Sequence, residues 1–104
     1  MTDIIGKWVL QGGMLDGLWF DFKADGTYQS ELPRLIKVTA SGTYAIVGED
    51  LIDMQQARHS MGMVGKFEGR CAVEGDALTL AFSAAPGGPR PADLSGARLY
   101  KRVA

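Results

Sequence analysis

Three stretches of the chain alternate strictly between large apolar positions and polar or small ones. In GLWFDFK, Leu18, Phe20 and Phe22 fall on one side, with Trp19, Asp21 and Lys23 on the other. KFEGRCAV sets Phe67, Gly69, Cys71 and Val73 against Lys66, Glu68 and Arg70, and DALTLAF sets Leu78, Leu80 and Phe82 against Ala77, Thr79 and Ala81. A period of two belongs to a strand with one buried and one wet face, so these stretches predict antiparallel strands. Turn signals punctuate the chain at LDG (15–17), KADGTY (23–28), ASG (40–42), VGED (47–50), RHSMGM (58–63), EGDA (74–77) and SAAPGGPRPADLSG (83–96). The Asp-Gly and Gly-Asp pairs among them supply the positive φ of tight hairpins. Seven connections therefore separate eight short segments.

A long amphipathic helix is not written anywhere, and the 14 glycines weigh against one. LIDMQQARHSM alone can also be read as a short helix. Eight consecutive strands leave two unpaired edges unless the first pairs with the last, which predicts an all-β fold: an eight-stranded antiparallel up-and-down barrel. A flat sandwich is the alternative. Eight strands enclose room for side chains, or for side chains and one small ligand. The expected inner surface is Phe20, Phe22, Tyr28, Tyr44, Ile46, Met54, Phe67, Leu78, Leu80 and Phe82.

At 104 residues the whole chain, 1–104, reads as one domain. The formal charge is −1 with no run of Lys or Arg, which argues against nucleic acid as a partner. No apolar stretch approaches the roughly 20 residues of a membrane-spanning helix. MTDIIGKWVL has neither a basic n-region nor a long h-region, so the expected location is cytoplasmic. The single cysteine, Cys71, permits no internal disulfide and reads as a small buried apolar residue. One histidine without acidic or thiol neighbours at ligand spacing does not make a metal site, and no cofactor is expected.

Several short motifs resemble a known family. IIGKWVL carries the Gly-x-Trp of the lipocalin-like (calycin) superfamily, and GTYAIVGEDLI and GRCAVEGDALTLAF resemble the hairpins of small bacterial lipocalin-like domains. DALTLAFSAAPGGPRPADLSGARLYKR is similar to the last two strands and connecting loop of such domains in planctomycetes. ARLYKRV resembles the closing strand of intracellular fatty-acid-binding proteins. The resemblance implies a lipocalin-like barrel plugged at one end by Trp8, with Arg102 as its partner, and an inward Arg98-x-Tyr100 pair that holds a carboxylate. The chain is shorter than fatty-acid-binding proteins and shows no helical lid, which implies a smaller or shallower ligand.

The closing strand admits three readings. Arg98 and Tyr100 face inward and hold an acid, Arg102 stacks on Trp8, or the arginines lie in solvent while Leu99 and Val103 face the core. An inward guanidinium needs a carboxylate or phosphate to satisfy it. The segment DMQQARHSMGMVG places His59, Met61 and Met63 together, either as a pliable lid at the barrel mouth or as core filler. Trp19 lies outside if Phe20 and Phe22 lie inside, and an outward Trp suggests a homodimer face. Pro33, with Glu31 and Arg34, marks a bend or a flap at the rim. The expected function is non-catalytic binding of a small hydrophobic or amphipathic ligand, with a carboxylate as its candidate head group, by Arg98, Tyr100, Tyr28, Tyr44, Phe20, Phe22, Met54, His59, Met61 and Phe67. An isomerase or cyclase using the same cavity, and a dimeric interaction module with a filled barrel, are the alternatives. No spacing of acids suggests acid–base catalysis.

Overall fold

The computed structural model describes residues 3–33 and 36–103. Eight strands follow in order: β1 (Gly6–Leu10), β2 (Trp19–Phe22), β3 (Thr27–Leu32), β4 (Val38–Gly48), β5 (Leu51–His59), β6 (Gly65–Glu74), β7 (Ala77–Phe82) and β8 (Arg98–Arg102). Each pairs antiparallel with its neighbours in sequence, and β1 pairs with β8, so the sheet closes into an up-and-down barrel. This architecture is compatible with a lipocalin-like fold. LIDMQQARH is a strand rather than a helix. The ASG signal at 40–42 is not a turn. It lies inside the 11-residue β4, and the chain reverses instead between Leu32 of β3 and Val38 of β4. Arg34, expected beside that bend, lies outside the described residues. Among the described residues no helix is long and apolar enough to cross a membrane.

All ten residues expected on the inner surface belong to the core or pack against it. Ile4, Leu10, Ile52, Cys71 and Tyr100 join them. Phe22 stacks beside Phe20 at 5.6 Å and meets Tyr44 edge-on at 4.9 Å, so aromatic rings fill the lower half of the barrel. The Asp25–Gly26 corner between β2 and β3 needs a glycine, because Gly26 sits at φ +86°. Below the rings lies Trp8, fully buried, whose indole N–H donates to the carbonyl of Ile4 at 2.9 Å. The Arg102 guanidinium stands 4.1 Å from the centre of the indole and donates to the carbonyl of Ile5 at 2.7 Å. A planar cation on an aromatic face shuts the base of the barrel.

The connection from β7 to β8 runs down the outside wall as a strap. Arg90 fastens it, donating to the carbonyls of Gly69 (2.6 Å) and Ile52 (3.2 Å) and pairing with Asp53 (2.6 Å). Arg70 adds a bond from its Nε to the carbonyl of Pro91 at 2.7 Å. The Pro/Gly loop in the sequence is thus an element anchored by Arg90 and Arg70.

The packed tyrosines make the fold sensitive to alkali. Burial pushes the Tyr100 phenol up to about 12 and the Tyr28 phenol further still. Above pH about 10 the unfolded chain releases these protons while the folded barrel keeps them. Stability is therefore complete below about pH 10 and is lost as the pH rises through about 12, by about 1.4 kcal/mol per pH unit for each tyrosine held neutral. Tyrosinate absorbance and far-ultraviolet circular dichroism, followed together, should rise and collapse in one transition. Titration of all three tyrosines near their ordinary value, with the dichroism unchanged, would contradict this.

Candidate ligand-binding site

The upper half of the barrel is not filled. A cavity of about 450 Å³ opens between the β1–β2, β3–β4, β5–β6 and β7–β8 connections. Its walls are mainly apolar: Leu15, Leu18, Phe20, Leu32, Val38, Ala40, Met54, Met63, Phe67 and Phe82. Ser30, Thr39, His59, Ser83 and Arg98 supply the polar points. At the roughly 30 Å³ that one water-sized group occupies in a liquid, this volume suits a ligand of about 15 non-hydrogen atoms. A second depression, about 640 Å³, lies between β7, β8 and residues 91–96, and shares Phe82, Ser83 and Arg98 with the cavity.

The closing strand presents Arg98, Tyr100 and Arg102 on its inner face, while Leu99 and Val103 are about half exposed on the outside. The three inner residues have three different surroundings. Arg102 seals the base, and Tyr100 is 3% exposed with its ring edge-on to Phe20 at 5.8 Å. Arg98 stands at the open end and is solvent-exposed. Its guanidinium makes no ion pair or hydrogen bond with any described residue. An apolar cavity therefore opens past a guanidinium that is unpaired among the described residues.

His59 reaches the cavity wall because β5 carries a bulge. Strict alternation from Ile52, Met54 and Gln56 would turn residue 58 inward and residue 59 out. The register instead steps between Ser41 and Gly42: Gly42 pairs with Gln56, but Ser41 pairs with Arg58 and Ala40 with His59. Ala57 is the extra residue, and beyond it Arg58 faces out and His59 in. The bulge depends on its partner strand. A Cβ on Gly42 would collide with the backbone carbonyl of Gln55, so only glycine lets the two strands approach there. The His59 ring is oriented locally, its Nδ1 accepting the amide N–H of Met61 at 3.0 Å.

Of the ten residues expected to bind ligand, the cavity gathers Phe20, Met54, His59, Phe67 and Arg98. The other five sit elsewhere. The Tyr28 hydroxyl donates to Gln56 Oε1 at 2.9 Å, and the amide of Gln56 in turn donates to the carbonyl of Met63 at 2.6 Å. That buried chain ties the β5–β6 connection to the barrel wall. The Tyr44 hydroxyl donates to the carbonyl of Lys23 at 2.7 Å, at the closed end. Phe22 and Tyr100 belong to the packed core, and Met61 is 72% exposed at a loop tip. Ser30, Thr39 and Ser83 were not anticipated. Ser30 had a visible signal, for in TYQSEL it occupies the inward parity between Tyr28 and Leu32.

Trp19 lies on the outer face, with the Lys7 ammonium 4.3 Å above its ring. Glu31 pairs with Lys37 at the rim, 3.8 Å apart. Cys71 is fully buried, and desolvation, aided by the charge of Asp50, pushes its thiol up to about 11. It stays protonated at neutral pH and is a poor nucleophile. Compared with known proteins, the chain matches no family model and no curated sequence.

Proposed function

We propose that this protein is a lipocalin-like carrier that binds a small amphipathic carboxylic acid without transforming it. The apolar cavity opening past the Arg98 guanidinium, which is unpaired among the described residues, is the observation that carries the reading. Desolvation of an aliphatic or aromatic tail among Phe20, Met54, Phe67 and Phe82 would provide affinity. A fork of guanidinium N–H groups at the mouth would fix the carboxylate and orient the molecule. An isomerase or cyclase would need a phenol free to polarise a carbonyl or move a proton; the hydroxyls of Tyr28 and Tyr44 are bound within the protein, and Tyr100 is packed into the core away from the cavity.

Isothermal titration with decanoic acid, a ligand of suitable size, tests the proposal. The wild-type protein is expected to bind one equivalent, and Arg98→Ala to bind about ten- to hundredfold more weakly, the worth of one charged hydrogen-bonded contact. Equal affinity in the two proteins would remove Arg98 from the site. Failure of the wild-type protein to bind medium-chain or two-ring aromatic acids would remove the carrier reading itself.

A further inference from the structure

The inner wall across from Arg98 carries a short polar row. Ser30 of β3 pairs with Ala40 of β4, and Ala40 pairs with His59 of β5. All three line the cavity. In a closed barrel of eight strands, β4 is four strands from β8 in either direction, so this row stands opposite the strand that bears Arg98. Neighbouring strands lie about 4.8 Å apart, which puts the backbones of Ser30 and His59 roughly 10 Å from each other. Between them is only the methyl group of Ala40, leaving a notch where a larger residue would fill the wall.

Both flanking side chains have hydrogen-bonding capacity to spare. Ser30 lines the cavity, and its hydroxyl makes no hydrogen bond with any described residue. It is open to the cavity rather than buried, and it can donate to an oxygen atom of a ligand. His59 uses Nδ1 to accept the Met61 amide. A neutral imidazole that accepts at Nδ1 carries its proton on Nε2, so the free edge of the ring is a donor. The notch therefore offers two donors, Ser30 Oγ–H and His59 Nε2–H.

We propose that Ser30 and His59 form a second polar anchor for a carbonyl or hydroxyl oxygen carried on the ligand away from its acid group. The ligand class is then an oxo- or hydroxy-substituted acid spanning the cavity from Arg98 to the notch, rather than a plain aliphatic acid. This inference rests on the acid-binding reading above and sharpens it. Sites built to bond an oxygen discriminate against the analogue that lacks it, because their polar groups are otherwise left unpaired.

The test compares decanoic acid with the series of its mono-oxo derivatives by isothermal titration. It uses the wild-type protein, Ser30→Ala and His59→Asn. The asparagine carbonyl can replace Nδ1 as acceptor for the Met61 amide, so that variant removes the Nε2 donor while sparing the turn. Thermal melts confirm that each variant is folded. At least one oxo position is expected to bind the wild-type protein about tenfold more tightly than decanoic acid. In both variants the ratio of the two affinities should fall towards one. If no oxo acid is preferred by the wild-type protein, or if the preference survives both substitutions, the second anchor is overturned and the carrier reading stands. If neither decanoic acid nor any oxo acid binds the wild-type protein, the carrier reading fails and takes the second anchor with it.

Discussion

Replacing Trp8 with alanine is expected to cost about 3–5 kcal/mol, a large part of the stability of a domain this size. The indole is fully buried, so the substitution opens a hole at the base of the barrel rather than trimming its surface. Two further groups lose their partner. The carbonyl of Ile4 no longer receives the indole N–H, and the Arg102 guanidinium loses the ring on which it lies. Trp8→Phe should recover part of the loss, since it restores an aromatic face but not the N–H. Chemical denaturation of the three proteins, with m-values compared, provides the check. An alanine variant within about 1 kcal/mol of wild type would show that Trp8 does not act as a plug, because losses that small belong to surface positions.

Gly42→Ala is expected to cost about 3 kcal/mol, the upper end of the usual range for overpacking, despite adding a single methyl group. Most overpacked sites recover by moving a side chain, whereas the obstacle at Gly42 is the main chain of Gln55 and Ala57. Relief requires the strands to separate or the bulge to disappear. Loss of the bulge would exchange the faces of Arg58 and His59, bringing an uncompensated charge into the cavity wall. Denaturant unfolding measures the loss, and the His59 ring resonances should shift with it. Alanine accepted at position 42 with unchanged stability and an unchanged imidazole environment would refute the role given to this glycine.

These two positions also divide what the amino-acid order reveals from what it hides. Trp8 was legible through the resemblance of its Gly-x-Trp to the lipocalin-like superfamily, which implied the plug, while the strands were legible because periodicity and hairpin signals act within a few residues. The inner faces of β2, β6 and β7 follow from their own alternation. The closing strand was ambiguous because RLYKR carries large side chains of both parities. Only the pairing of Tyr100 with Leu10 and Leu78, residues far away in the chain, selects its inner face. The bulge in β5 was hidden for a similar reason: its cause sits on the partner strand, in an Ala-Ser-Gly that reads locally as a turn. Of the cavity, Phe20, Met54, Phe67 and Phe82 were readable by parity, whereas Arg98 was one of three open readings of the closing strand. The notch was not legible, since Ser30 and His59 become neighbours through Ala40 only after three strands align.

The ladder between β1 and β8 joins Trp8 to Arg102, residues separated by nearly the whole chain. Every other strand pair joins sequence neighbours, so hairpins can form and extend early, while the seam pays the loop-closure entropy of the entire barrel. The seam is thereby the costliest pairing to form in entropy, and until it forms the sheet has two unsatisfied edges. Lys7 and Lys101 sit on those two edge strands with their side chains on the outer surface. A lysine on each edge discourages two half-closed molecules from pairing with one another before each has closed on itself. The seam that completes the barrel is also the place where its assembly is guarded against aggregation.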